Sequence, residues 1–225
     1  MRLLLFDIDG TLVRVRSAAR SALVRAVERV TGHTVSVEGV SFSGRTDPQI
    51  FSEVLRRNKL PTRTDILNDV LTSYSDLARK GIQSAHVEQL PGAPDLVSTL
   101  ADHDHVRLGL VTGNVQSIAV HKLRMAGLAD FFPTGAFGDD HADRAHLPRL
   151  AILRASLHAR TPIDPEDTIV IGDTIHDINC ARSAGSQAVA VSTGTPASST
   201  LASHGPDLLL DTLQAPNLPT RLLEL

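Results

Sequence analysis

Apolar residues along this chain fall into two kinds of run. Short, dense runs read as strands buried on both faces: Leu3 to Phe6, Val106 to Thr112, Gly135 to Gly138, Thr168 to Gly172 and Ala188 to Val191, with Asp207 to Leu210 as an edge strand. Thr168 to Gly172 is the clearest, because β-branched residues dominate it. Between these runs the apolar positions recur at helical spacing. Ser17 is placed to cap a helix from Ala18 to about Val30, with Leu23, Val24, Val27 and Val30 as its stripe and Arg20, Arg25 and Arg29 on the wet side. A second helix starts at Asp47-Pro48 and carries Ile50, Phe51, Val54 and Leu55. A third runs from Thr64 or Asp65 to about Lys80, with Ile66, Leu67, Val70, Leu71, Tyr74 and Leu77 at helical spacing. Further helices are expected over Ala93 to Ala101, Val115 to Ala126, Leu147 to His158, from Asp173 to Gly185, and Leu218 to Leu225.

From residue 90 onward strand and helix alternate, which is the pattern of a doubly wound parallel sheet. Residues 14 to 88 differ, with three helical stretches in a row and no β-branched runs. One crossover helix suffices to join parallel strands, so this stretch reads as an insertion. The expected architecture is α/β: a Rossmann-like doubly wound parallel sheet built from residues 1–13 and 89–225, with an α-helical cap domain, 14–88, inserted after the first strand.

Composition narrows the partners. With 225 residues, 42% of them hydrophobic, the chain can bury a sizeable core. Its formal charge of −3 is spread among interspersed acids and bases, so neither nucleic acid nor a membrane surface is the expected partner, and a small molecule is. Cys180 is the sole cysteine, which excludes an internal disulfide framework and a cysteine-based zinc site. The first strand is too short for a signal-peptide core and no run reaches bilayer length, so a cytoplasmic location is expected. Trp is absent and aromatics make up 3%, which argues against a base-stacking surface. No feature of the sequence speaks to oligomeric state.

Chemistry concentrates where strands end. Asp7 and Asp9 follow the first strand, Thr112 and Asn114 the second, and Asp173 and Asp177 the β-branched one. Parallel strands bring their carboxyl ends to one edge, so these groups can converge in a crevice. Asp-x-Asp-Gly on its own also reads as a turn, and Thr-Gly-Asn as a helix cap. Together they offer more. Two acids one residue apart suit a nucleophile and an acid/base. Thr112 with the amides after Gly113 suits a phosphate. Four carboxylates in one crevice repel unless a cation joins them, and an oxygen-only donor set selects a hard ion, Mg²⁺.

At these residues the chain resembles the haloacid dehalogenase-like hydrolase superfamily, especially its helical-cap phosphatases such as phosphoglycolate phosphatase and β-phosphoglucomutase. Asp7-Ile8-Asp9-Gly10-Thr11 matches that family's first motif, Thr112-Gly113-Asn114 its second, and Gly172-Asp173-Thr174-Ile175-His176-Asp177 its fourth, in the family's order. The resemblance implies a Mg²⁺-dependent phosphomonoester hydrolase acting on a small phosphorylated metabolite through an aspartyl-phosphate. It makes Asp7 the nucleophile and Asp9 the acid/base. Asp7, the Asp9 backbone carbonyl and Asp173 would hold Mg²⁺, with Asp177 supporting it directly or through water. Thr112, Gly113 and Asn114 would bind the phosphoryl group. Gly44-Arg45-Thr46-Asp47 looks like the family's cap loop, with Arg45 the candidate for touching the leaving group.

One motif departs from the pattern. The third is usually a Lys, commonly before Pro, and no Lys follows Lys122. Arg144 is the expected stand-in, since a guanidinium can clamp a carboxylate and a phosphoryl oxygen together, and Arg149 is its competitor. The alternatives are a dehalogenase, which needs no second acid, a phosphomutase of the same fold, and a non-catalytic binding module that inherited the fold. His141, His146 and His176 are expected to be solvated loop residues, His176 the nearest to substrate, and Cys180 a small buried one.

Overall fold

Strand β1 (Arg2–Phe6) is apolar on both faces, and the chain packs matter against each. Leu4 and Phe6 join one hydrophobic cluster, while Leu3 and Leu5 join another on the opposite side. A computed structural model of the chain describes residues 1–15, 18–194 and 197–225. After β1 come β2 (Val13–Val15), α1 (Ala18–Thr31), α2 (Asp47–Arg57), α3 (Thr64–Gly81), β3 (Val87–Gln89), α4 (Ala93–Ala101), β4 (Val106–Val111) and α5 (Gln116–Met125). The chain continues with β5 (Thr134–Ala136), α6 (Leu147–Ala159), β6 (Thr168–Gly172), α7 (Ile175–Ala184), β7 (Gln187–Val191), α8 (Ser198–Ser203), β8 (Leu208–Leu210) and α9 (Leu218–Leu223). The proposed cap residue of α1, Ser17, lies outside the described residues.

The sheet runs β5-β4-β1-β6-β7-β8, parallel at every pairing. Strand order reverses beside β1, because the chain adds β4 and β5 on one flank and β6, β7 and β8 on the other. Ligands bind outside the carboxyl ends at such a switch point. The doubly wound sheet expected from the alternation is therefore present, with helices on both faces. β5 ends at Ala136, two residues short of the expected Gly138. The Gly138 N–H instead donates to the Asn114 carbonyl at 2.7 Å, which bends the chain into the loop beside β4.

Helices α1, α2 and α3 form a cap with its own apolar cluster, centred on Phe51, Val54, Leu55 and Val70, with Tyr74 set edge-on to Phe51 at 5.2 Å. Val115 and Ile118, at the start of α5, belong to that same cluster. The cap thus rests on a core helix that also carries site residues. Entry to and exit from the cap are tied by a ribbon absent from the sequence reading: β2 and β3 pair antiparallel, Val13 with Gln89 and Val15 with Val87. Among the described residues, no helix is long and apolar enough to cross a membrane.

Candidate active site

β1 and β6 lie side by side, so the residues just beyond them meet. The Asp7 N–H donates to the Ile171 carbonyl at 2.9 Å, which extends the pairing by one residue and sets the Asp7 side chain beside Asp173. The chain then turns through Gly10, whose φ of +86° suits glycine; a Cβ there would stand 2.4 Å from an Asp173 carboxylate oxygen. The Thr11 hydroxyl contacts Asp173 at 3.4 Å. Asp177 faces back from the first turn of α7, where its Oδ2 accepts from the Thr174 N–H at 3.0 Å and hydroxyl at 2.7 Å in a capping box. Asp7, Asp173 and Asp177 are all buried, and each offers an oxygen within 4.8 Å of the others.

Arg144 enters this acidic cluster from the loop before α6. Its Nη2 lies 3.1 Å from Asp7 Oδ1 and also donates to Asp177 Oδ1, so one buried guanidinium bridges two acids. Among the described residues its buried Nε–H has no hydrogen-bond partner. The competitor Arg149 is exposed and donates to the Ser183 carbonyl at 3.0 Å, away from the cluster. Three carboxylates against one guanidinium leave excess negative charge in a dry place. Burial, with repulsion among the acids adding to it, pushes Asp7 up to about 7 and Asp173 up to about 8, Arg144 opposing both shifts. Oxygen-only donors that cannot all ionise together fit a hard divalent cation, which would displace the shared protons.

At the end of β4, buried Thr112 accepts at its hydroxyl from the Asn114 N–H at 3.3 Å. The cap loop docks here. The Asp47 N–H donates to the Gly113 carbonyl at 2.7 Å, Asp47 Oδ2 accepts from the Val115 N–H at 2.8 Å, and the Thr46 hydroxyl donates to the Ala142 carbonyl at 2.8 Å. Burial pushes Asp47 up to about 6, opposed by Lys122 and the Val115 N–H. A Cβ on Gly113 would stand 2.1 Å from the Arg45 carbonyl oxygen, a backbone atom that no rotamer change can move. Gly113→Ala is therefore expected to push the cap loop off the core, costing about 1–3 kcal/mol in thermal unfolding and at least about tenfold in kcat/KM. An unaltered cap position and full activity in that variant would count against docking by this contact.

Core and cap enclose a cavity of about 810 Å³. Asp7, Asp9, Thr112, Asn114 and Asp173 line its floor, and Leu23, Phe42, Ile50 and Tyr74 its cap side. The model of the family described as haloacid dehalogenase-like hydrolase matches residues 4–191, from β1 through β7. The chain belongs to that family. It is accordingly a hydrolase, built on that family's doubly wound core and helical cap. Among its relatives, a phosphoglycolate phosphatase of Cupriavidus necator is 26% identical over 212 residues, covering 94% of this chain and 89% of the relative. Pyrophosphatase PpaX of Bacillus pumilus is 24% identical over 207 residues, covering 92% and 90%. CbbY from Rhodobacter sphaeroides, solved in complex with phosphate, superposes with a TM-score of 0.67 at 22% identity, covering 100% of both chains.

Against the motifs of this hydrolase family, Asp7, Asp9, Thr112, Gly113, Asn114, Asp173 and Asp177 gather at one cleft, and Arg144 joins them. Arg45 does not reach the acids. Its guanidinium is bonded to Glu53 on α2 and to the Ser41 and Gln49 carbonyls at 3.4 and 3.3 Å, and the residue lines the cavity. The Asp9 carboxylate also turns away from the other acids, toward Lys122, whose ammonium lies 2.5 Å from Asp9 Oδ2 and 2.6 Å from Asn114 Oδ1. The sequence motifs assign no role to Lys122, and to Asp47 only a place in the cap loop. The signal was there for Lys122: it falls on the buried face of α5 with Ile118, Ala119 and Leu123, an odd position for a lone lysine. His141 and His146 are exposed, their ring centroids 4.2 Å apart with the planes tilted by 47°, while His176 is exposed and lies against Gly44. Cys180 is buried, donates its thiol to the Arg144 carbonyl and is pushed up to about 12 by burial, so it stays protonated.

Proposed function

We propose that the chain is a Mg²⁺-dependent phosphomonoester hydrolase for small phosphorylated metabolites, working through a phosphorylated Asp7. The observation that carries this reading is the meeting of Asp7, Asp173, Asp177 and Arg144 at the switch point of the sheet, beneath a cavity with Asp9 and Thr112 on its floor.

The Asp7 carboxylate attacks phosphorus in line, forming its O–P bond as the bond to the leaving oxygen breaks, and Asp9 gives that oxygen a proton. Asp9, now a carboxylate, takes a proton from the water that attacks the acyl phosphate. Inorganic phosphate leaves, and both acids return to their starting states. Thr112 and the Asn114 side chain hold the equatorial oxygens, while the amides that follow Gly113 are held by Thr112, Asp47 and Asp139; Arg144 holds Asp7 in place and offsets charge on the group it receives. A magnesium ion on Asp7, Asp173 and the Asp9 carbonyl, with Asp177 in support, would neutralise the acids and the phosphoryl oxygens. The docked cap excludes bulk water from the acyl phosphate until hydrolysis.

The test is a panel of phosphorylated metabolites, with phosphoglycolate and pyrophosphate among them, and p-nitrophenyl phosphate as a generic ester. Turnover with Mg²⁺ that stops with a chelator is expected; no turnover of any ester with Mg²⁺ would contradict the reading.

Metal and pH are linked in a calculable direction. Asp7 and Asp173 keep protons in the native state that the unfolded chain has released above about pH 4, so the unfolded state binds fewer protons and stability falls as pH rises. That contribution is full below about pH 4 and lost as pH climbs through about 7 for Asp7 and about 8 for Asp173. Mg²⁺ competes with those protons. Its stabilisation in thermal unfolding is expected to be small at pH 5 and large at pH 8; a shift that does not change between them would count against these acids as ligands.

A further inference from the structure

Lys122 is a buried cation to which none of the motifs assigns work. Its side chain is 4% exposed, yet its partner Asp9 is 40% exposed and lines the cavity. The pair is dry at the lysine end and open to substrate at the carboxylate end. Among the described residues, no other side chain is seen to bond the Asp9 carboxylate. Oδ2 is taken by the ammonium, which leaves Oδ1 for a ligand. The same ammonium donates to Asn114 Oδ1, so the Asn114 amide is fixed with its NH₂ end free to donate elsewhere. Lys122 lies on α5, eight residues past Asn114; the start of α5 packs into the cap's cluster, and the Val115 N–H just before it donates to Asp47 of the cap loop. The lysine is anchored by the helix on which the cap docks.

We propose that Lys122 is the positioning residue for Asp9, holding the acid/base rotamer that presents Oδ1 to the leaving-group oxygen. The proposal rests on the phosphomonoesterase reading above. Lys122 itself exchanges no proton in it. An Asp9 without Lys122 is free to swing across an open cavity, and the loss falls on proton delivery to a departing oxygen that needs one.

The test uses two esters of like shape, phenyl phosphate and p-nitrophenyl phosphate, whose leaving groups differ in basicity. kcat/KM ends at departure of the leaving group, so it isolates the acid role. Lys122→Met is expected to lower kcat/KM by about 10²-fold on phenyl phosphate and by less than about tenfold on p-nitrophenyl phosphate. In an Asp9→Asn background the same change should cost nothing further, and Lys122→Arg should restore the phenyl phosphate rate in part. Equal losses on both esters, an undiminished loss in the Asp9→Asn background, or no loss at all would overturn the proposal. If Lys122→Met does not fold, Lys122→Gln carries the same comparison. Turnover of either ester by the unaltered enzyme tests the phosphatase reading separately, since it does not depend on the ratio between variants.

Discussion

Asp7→Asn is expected to abolish turnover, by at least about 10⁴-fold, while leaving the protein folded. The carboxamide has nearly the same shape and keeps an oxygen toward Arg144, so the strand end and its ion pair suffer little. It cannot attack phosphorus. The substitution also removes one of the three buried acids whose mutual repulsion weakens the metal-free protein at high pH. Without metal, the variant should therefore be at least as stable as the parent at pH 8, and it should gain less from Mg²⁺. Inactivity with retained stability separates a catalytic loss from a folding loss. Parent-like phosphatase activity in this variant would remove Asp7 from the chemistry.

Arg144→Met carries the second large effect. The guanidinium is buried between Asp7 and Asp177, and removing one partner from a buried ion pair costs about 3–5 kcal/mol because the remaining charge has no compensation. Here the acids can escape by taking up protons. The loss in thermal unfolding should be largest at pH 8 and smaller at pH 5, and added Mg²⁺ should recover part of it. Turnover should fall by about 10²–10³-fold if, as proposed, the guanidinium both holds Asp7 and offsets charge on the group it receives. Arg144→Lys should recover part of both, since an ammonium supplies the charge but not the geometry that reaches two acids at once. An Arg144→Met variant with unchanged stability and rate would leave the cluster without its supposed cation.

The sheet was legible because its strands carry their own signature. Leu3 to Phe6 and Thr168 to Gly172 are apolar on both faces, and only a central parallel strand buries both. The acids were legible because they end those strands, and Arg144 because the resemblance calls for a cation at the family's third motif and the loop before α6 carries one. What escaped depends on tertiary geometry. The β2 and β3 ribbon consists of three-residue strands, too short for alternation to register. Arg45 lines the cavity as expected of a residue near the leaving group, but its pairing with Glu53, eight residues on, is one that no motif encodes. Asp47 reads as an ordinary first-turn acid until the Val115 N–H is found against it. Lys122 is the instructive omission. It belongs to no motif, and its position on the apolar face of α5 is the mark it leaves in the sequence.

The most direct measurement is chemical. Enzyme mixed with substrate and Mg²⁺, quenched in acid and reduced with borohydride, converts an acyl phosphate at an aspartate to homoserine. Mass spectrometry of the amino-terminal peptide is predicted to find homoserine at position 7, only when substrate and metal are both present. Substrate-dependent reduction at any other acid, with residue 7 still aspartate, would contradict the account.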